Sequence, residues 1–154
     1  MILITGATGR IGRRVVKHLL DANQDVRVLV RSLEKAKRLL PTNNIEVVVG
    51  DLGDSNAVNS AMQGVESVLL VSPVAPDQVE LQGNLVRAAS NQEPKPYVVK
   101  ISGLMPSLDS YVDSGRWHAE TEQKIKDTGL PYTFLRPLFF MQILQFLLRS
   151  AKIE

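Results

Sequence analysis

The chain has 154 residues, with 18 Lys and Arg against 16 Asp and Glu, two histidines and no cysteine. That length suits a single domain with a substantial core, expected to occupy 1–154. A net charge of +2 without a basic tract leaves no electrostatic footprint for nucleic acid. Absence of cysteine excludes disulfides, thiolate catalysis and cysteine-based metal sites. His18 and His118 stand too far apart for a zinc-binding pair, so no metal is expected.

The apolar start MILIT is too short for the core of a signal peptide. The longest apolar stretch, Leu138–Leu148, is broken by Gln142 and Gln145 and reaches about half a membrane span. A cytoplasmic protein without a membrane partner is expected.

Ile2–Thr5 is an apolar run ending in a glycine-rich turn, the pattern of a buried parallel strand. Between Arg10 and Ala22, Ile11, Val15, Val16, Leu19 and Leu20 recur at helical spacing. Asp25–Val30 reads as the second strand, and Leu33–Leu40 as a short helix stopped by Pro41. Ile45–Val49 is β-branched and forms the third strand. Asp54 or Ser55 can cap a helix running to Met62. Val65–Val71 is the fourth strand, Pro76–Asn91 a helix, and Tyr97–Ile101 the fifth strand. Tyr111–Thr128 is a helix closed by Gly129, and Pro131–Leu135 is the sixth strand. An apolar helix then runs from Pro137 to Leu148. Leu104–Asp113 reads as an ordered loop or a mobile lid. Strands and helices alternate six times with short connections. This predicts an α/β fold, a doubly wound parallel sheet of about six strands of the Rossmann kind.

Gly6-Ala7-Thr8-Gly9-Arg10-Ile11-Gly12 follows strand one directly and opens a helix. In that context Gly6 permits the tight turn, Gly9 lets the backbone approach a diphosphate, and Gly12 allows close packing of helix on strand. The positive end of the helix and its free N–H groups then face the phosphates. Gly6, Thr8, Gly9, Arg10, Ile11 and Gly12 are therefore candidate cofactor-binding residues.

Arg31 ends strand two, where NAD-binding units carry an acid for the ribose 2′-hydroxyl. An arginine there binds a 2′-phosphate instead; Arg10, inside the loop, can reach the same phosphate, and Lys35 lies close in sequence. The expected cofactor is thus NADP(H), with NAD(H) as the alternative. Asp51 and Leu52 follow strand three, where a carboxylate can accept from adenine and a leucine can pack on its ring. Val71, Ser72 and Pro73 end strand four beside the expected nicotinamide ribose.

The stretches ITGATGRIG, VRVLVR, VVVGDL, LLVSP and WHAETEQKIKDTGLPYTFLRPLFFMQ together resemble the NmrA-like group of atypical short-chain dehydrogenases/reductases. The resemblance covers nearly the whole chain. It implies a Rossmann fold, a nicotinamide dinucleotide and a cytosolic location. Members include NADPH-dependent reductases of quinones and of secondary metabolites, and regulatory proteins that bind the dinucleotide without chemistry. It also implies a chain nearly twice as long, so the C-terminal elements that complete a substrate pocket are expected to be largely missing.

Short-chain dehydrogenases generally use Ser with Tyr-x-x-x-Lys. Ser102 matches the serine, but His118 falls at the lysine position and Ser114 at the tyrosine position, so no Tyr-x-x-x-Lys is present. His118, whose ordinary pKa lies near neutrality, is the candidate replacement acid, and Ser102 its companion. Trp117 and Tyr111 are candidates for the floor of a flat-substrate pocket. Glu120 and Glu122, near Lys124 and Lys126, read as a solvated surface. Arg136–Pro137 lies beside the cofactor and substrate cleft in the family, with Phe139, Phe140 and Met141 at its apolar end.

The favoured reading is an NADPH-dependent reductase of a quinone or related small carbonyl compound. The alternatives are a non-catalytic redox sensor working through a regulatory protein partner, and a truncated member that binds cofactor only. The apolar Leu138–Leu148 helix predicts self-association as a homo-oligomer.

Overall fold

The computed structural model describes residues 1–41 and 44–138. The chain alternates β1 (Ile2–Thr5), α1 (Gly12–Asp21), β2 (Val26–Val30), α2 (Leu33–Leu39), β3 (Ile45–Val49) and α3 (Ser55–Met62). It continues with β4 (Ser67–Leu70), α4 (Gln78–Ser90), β5 (Tyr97–Ile101), α5 (Asp113–Asp127) and β6 (Tyr132–Leu135). All strands pair in parallel in one six-stranded sheet of order β3-β2-β1-β4-β5-β6. The predicted doubly wound architecture is the observed one.

The sheet is buried on both faces, and the residues sort by the alternation of strand side chains. Ile4, Val26, Val28 and Val30 pack with Val16 of α1 and Ala36 of α2. Leu3, Leu29, Leu70 and Val98 face the opposite way, against Ala61 of α3, Leu85 of α4 and Ile125 of α5. Fully burying an aliphatic side chain of this kind contributes about 1.5–3 kcal/mol, so both layers are needed to hold the sheet.

Element ends differ from the sequence expectation by a few residues, each for a local reason. Helix α1 begins at Gly12 because the preceding residues form the glycine turn, in which Gly9 N–H donates to the Gly6 carbonyl at 2.9 Å. Asp54, not Ser55, caps α3, accepting from the amides of Asn56 and Ala57. Pro131 has no N–H to give to the sheet, so β6 starts at Tyr132, although the Pro131 carbonyl still accepts from Val98. Neither helix nor strand forms between Ile101 and Asp113. The predicted helix from Pro137 to Leu148 lies almost wholly outside the described residues.

Strand order reverses between β1 and β4, which places a crevice at their carboxyl ends, where open α/β sheets bind ligands. Thr5 fixes that junction. Its Oγ1 accepts from Val71 N–H at 2.8 Å and donates to the Val71 carbonyl, also at 2.8 Å, tying the end of β4 to the glycine loop.

Candidate functional site

A cleft of ≈ 560 Å³ opens at this junction, within the size range of small-molecule and cofactor sites. Among the residues predicted from sequence, Gly6, Thr8, Gly9, Arg31, Asp51, Leu52, Val71, Ser72 and Pro73 line it. Lys35 joins them, beside Arg31 at the β2 end. Arg10, Ile11 and Gly12 are not part of the wall. Arg10 is exposed, Ile11 is the N-cap residue of α1, and Gly12 is buried beneath the loop.

Two of the loop glycines are required by space. Gly6 has φ +60°, and a Cβ there would also stand 2.8 Å from the Val71 carbonyl oxygen. A Cβ on Gly12 would collide with the Gly6 carbonyl and with Cα of Ala7. The loop can lie this close to the helix and to β4 only without those side chains.

Behind the loop, α1 has no side-chain N-cap and no acidic residue in its first turn. Its positive end is therefore not compensated locally, and a diphosphate is the kind of group that would satisfy it. Arg31 lies 3.9 Å from Asp51, an exposed pair of little strength that leaves the guanidinium accessible. Asp51 also accepts from Gly53 N–H at 3.0 Å, which orients its carboxylate. These features fit a nicotinamide dinucleotide with its diphosphate at the loop and its adenosine end toward Arg31 and Lys35.

Ser102 and His118 are not in that wall; they lie in an adjoining polar layer between β5, α4 and α5. The residue that organises this layer is Lys100. It pairs in register with Leu70, the last residue of β4, so it stands beside the strand end that forms the cleft. Its side chain is fully buried, and Nζ lies 2.8 Å from Nδ1 of His118. Gln78 of α4 places Nε2 3.2 Å from the same nitrogen. Burial lowers Lys100 to about 8, although the charge of Glu122 works in the other direction. His118 is 7% exposed, and burial together with the Lys100 charge lowers it to about 4 against the pull of Glu122. The expectation of a near-neutral histidine acid is thus corrected: the ring is uncharged at neutral pH.

A second correction concerns Glu122. It is no surface residue; its side chain is 4% exposed and is gripped by Arg136, with Nε to Oε1 at 3.0 Å and Nη2 to Oε2 at 2.5 Å. Ser102 donates its hydroxyl hydrogen to Glu122 Oε1 at 2.7 Å. Burial favours the protonated acid, but the hydrogen bonds from Arg136 and Ser102 outweigh it and hold the carboxyl below its usual range. The Ser102 proton is therefore already committed, and Ser102 is not a free donor. Arg136 serves this buried carboxylate. Tyr111, which was expected to help floor a pocket, is fully exposed, whereas Trp117 is half-buried. Phe139, Phe140 and Met141 lie outside the described residues.

Lys100, Gln78 and Gln82 were missed by sequence reasoning. A signal for Lys100 existed: a lysine near the end of an otherwise apolar strand, inside a sheet covered on both faces, is out of place unless it is paired. Gln82 is buried as well and donates to Ser72 Oγ at 2.7 Å, linking α4 to the cleft wall.

The model of the NmrA-like family matches residues 1–153. This chain belongs to the NmrA-like family. The NmrA-like chain is 38% identical over 142 residues to an NAD(P)H azoreductase of Xenophilus azovorans, an alignment covering 92% of this chain and 49% of the relative. It is 37% identical over 140 residues to quinone oxidoreductase 2 of Escherichia coli, covering 88% of this chain and 48% of the relative. Among solved structures it is similar to the NADPH complex of an NADPH-dependent quinone oxidoreductase from Escherichia coli. That match has TM-score 0.86 and 31% identity, covering 98% of this chain and 53% of the other. The NmrA-like chain thus spans about half the length of the curated relatives it matches. Among the described residues no helix is long and apolar enough to cross a membrane.

Proposed function

We propose that the chain binds NADP(H) in the cleft between the glycine loop, Arg31 and Val71, and forms the cofactor half of an NADPH-dependent reductase of a quinone or related small carbonyl compound. The observation that carries the reading is the uncompensated, acid-free end of α1 behind the Gly6–Gly12 loop, at the point where strand order reverses. Arg31 and Lys35 add the positive charge that a 2′-phosphate requires and that an NAD-type acid would oppose.

When bound, the dinucleotide supplies a hydride. Reduction of a quinone to the hydroquinone then takes that hydride and one proton from water. The residues of this chain hold and orient: the loop amides meet the diphosphate, Leu52 offers an apolar face to adenine, and Thr5 keeps Val71 in place. Quinone reduction suits a site without Tyr-x-x-x-Lys, because it needs less proton-donor machinery than ketone reduction. Small molecules are the substrates, and the chain acts within the cytoplasm.

Fluorescence titration with NADPH and NADH, followed by NADPH oxidation with a panel of quinones, tests this. The expected result is tighter binding of NADPH and turnover with at least one quinone. Tight binding without turnover on any acceptor would favour the redox-sensor reading. No binding of either dinucleotide would remove the proposal.

A further inference from the structure

The buried layer behind the cleft holds a pairing that a packing role alone does not require. An ammonium group has three donors and no acceptor. With Lys100 Nζ 2.8 Å from His118 Nδ1, that ring nitrogen has to accept, and Gln78 Nε2 approaches it at 3.2 Å, also as a donor. A neutral imidazole with Nδ1 accepting carries its hydrogen on Nε2. The ring edge bearing Nε2 and Cδ2 lies against Gly103, where a Cβ would stand 3.3 Å from Nε2 and 2.5 Å from Cδ2. The missing side chain at 103 therefore lets the loop backbone lie directly against that edge, and any side chain there would push the ring out of its place.

We propose that Lys100 is a positioning residue that holds His118 as a neutral ring with its hydrogen on Nε2, so that His118 serves the site as a hydrogen-bond donor and not as an acid. The role of His118 toward a substrate rests on the reductase reading above; the state of its ring does not. The fitting ligand atom is an oxygen that gains negative charge, such as the oxygen of a quinone or carbonyl taking up hydride. A neutral donor stabilises such an oxygen without first having to be charged in a buried site.

The groups that set the ring can be named element by element. Lys100 comes from β5 and Gln78 from α4, while Glu122 lies one turn along α5. Glu122 is in turn neutralised by Arg136, just beyond β6, and bonded by Ser102 after β5. The nearest charge to the ring is thus positive. Burial and that charge together place its protonation at about pH 4.

The test is direct, because His18 and His118 are the only histidines of the chain. Long-range proton–nitrogen NMR spectra identify the tautomer, and a His18→Gln variant assigns the signals. In the unaltered chain His118 should show the Nε2–H pattern and resist protonation well below the ordinary 6.5. In Lys100→Met the ring should lose the single tautomer, and its midpoint should rise toward the ordinary 6.5. Should Lys100→Met fail to fold, the unaltered chain decides alone. An Nδ1–H pattern, or a His118 midpoint at the ordinary 6.5, overturns the proposal. NADPH titration on the same samples separates the two readings: the expected NMR pattern without dinucleotide binding would sink the reductase reading and leave the positioning role of Lys100 standing.

Discussion

Nζ of Lys100 and Nδ1 of His118 lie 2.8 Å apart in a layer closed by α4 and α5, where burial disfavours the charged form of both. The lysine carries its charge into that layer, which makes the pair sensitive to pH from the alkaline side.

Lys100 titrates at about 8 in the folded chain against an ordinary 10.5. Between those values the unfolded chain holds more protons than the folded one, so stability rises with pH across that window. Below the folded value the cost of burying the charge is fully present. The difference is on the order of 3 kcal/mol. Urea unfolding from pH 7 to 10 should show this rise, and Lys100→Met should flatten it. A Lys100→Met variant with the same slope as the unaltered chain would contradict the assignment.

Glu122 works in the opposite pH range. Its folded carboxyl is held below its usual value, so its contribution is fully present above the unfolded value of 4.5 and is lost as pH falls through the lower folded one. Glu122→Gln keeps one acceptor oxygen for Ser102 and Arg136 Nε, but removes the charge and turns an amide NH2 toward the Arg136 Nη2 donor. Breaking a fully buried pair costs about 3–5 kcal/mol. Arg136 is 46% exposed and can turn to water, so the smaller range of about 1–3 kcal/mol applies. Equilibrium unfolding at pH 7 and pH 3 should show a deficit at the first that shrinks at the second.

The fold was legible because its signals are local. Gly6 and Gly12 sit at fixed offsets between an apolar run and a helical period, and β-branched strands such as Ile45–Val49 name themselves. The cleft was legible for the same reason, since the wall residues expected from sequence lie at strand ends and in the turns that follow them. The polar layer was not. Lys100 and His118 are 18 positions apart, and Gln78 and His118 are 40 apart, so only the packing of α4 and α5 on β5 brings them together. Glu122 looked solvated beside Lys124 and Lys126, yet a helix has two faces. The 3.6-residue period puts Thr121, Glu122 and Ile125 inward and both lysines outward.

Arg31 offers the sharpest test of cofactor choice. A charge-assisted bond to a 2′-phosphate is worth about 1.5–3 kcal/mol. Arg31→Ala should therefore weaken NADPH binding about 10- to 100-fold and leave NADH nearly unaltered. Asp51→Asn removes the weak pair 3.9 Å away and should tighten NADPH modestly, because the guanidinium then has no competing anion. Equal losses for both dinucleotides in Arg31→Ala would place Arg31 outside the phosphate site.

Gly103 separates the polar layer from the cleft in a single variant. A methyl group there would stand 2.5 Å from His118 Cδ2, so the ring has to move. It cannot retreat freely, since Nδ1 is held by Lys100 and Gln78 from the other side. Gly103→Ala should thus cost about 1–3 kcal/mol, the usual penalty of overpacking. Gly103 takes no part in the cleft wall formed by the glycine loop, Arg31 and Val71, so NADPH affinity should survive. Turnover should fall, because the displaced ring no longer presents its Nε2 edge. Thermal unfolding, NADPH titration and quinone-dependent NADPH oxidation on one preparation measure all three. A loss of NADPH affinity equal to the loss of turnover would mean that the two layers are not separable and that His118 serves the cofactor cleft itself.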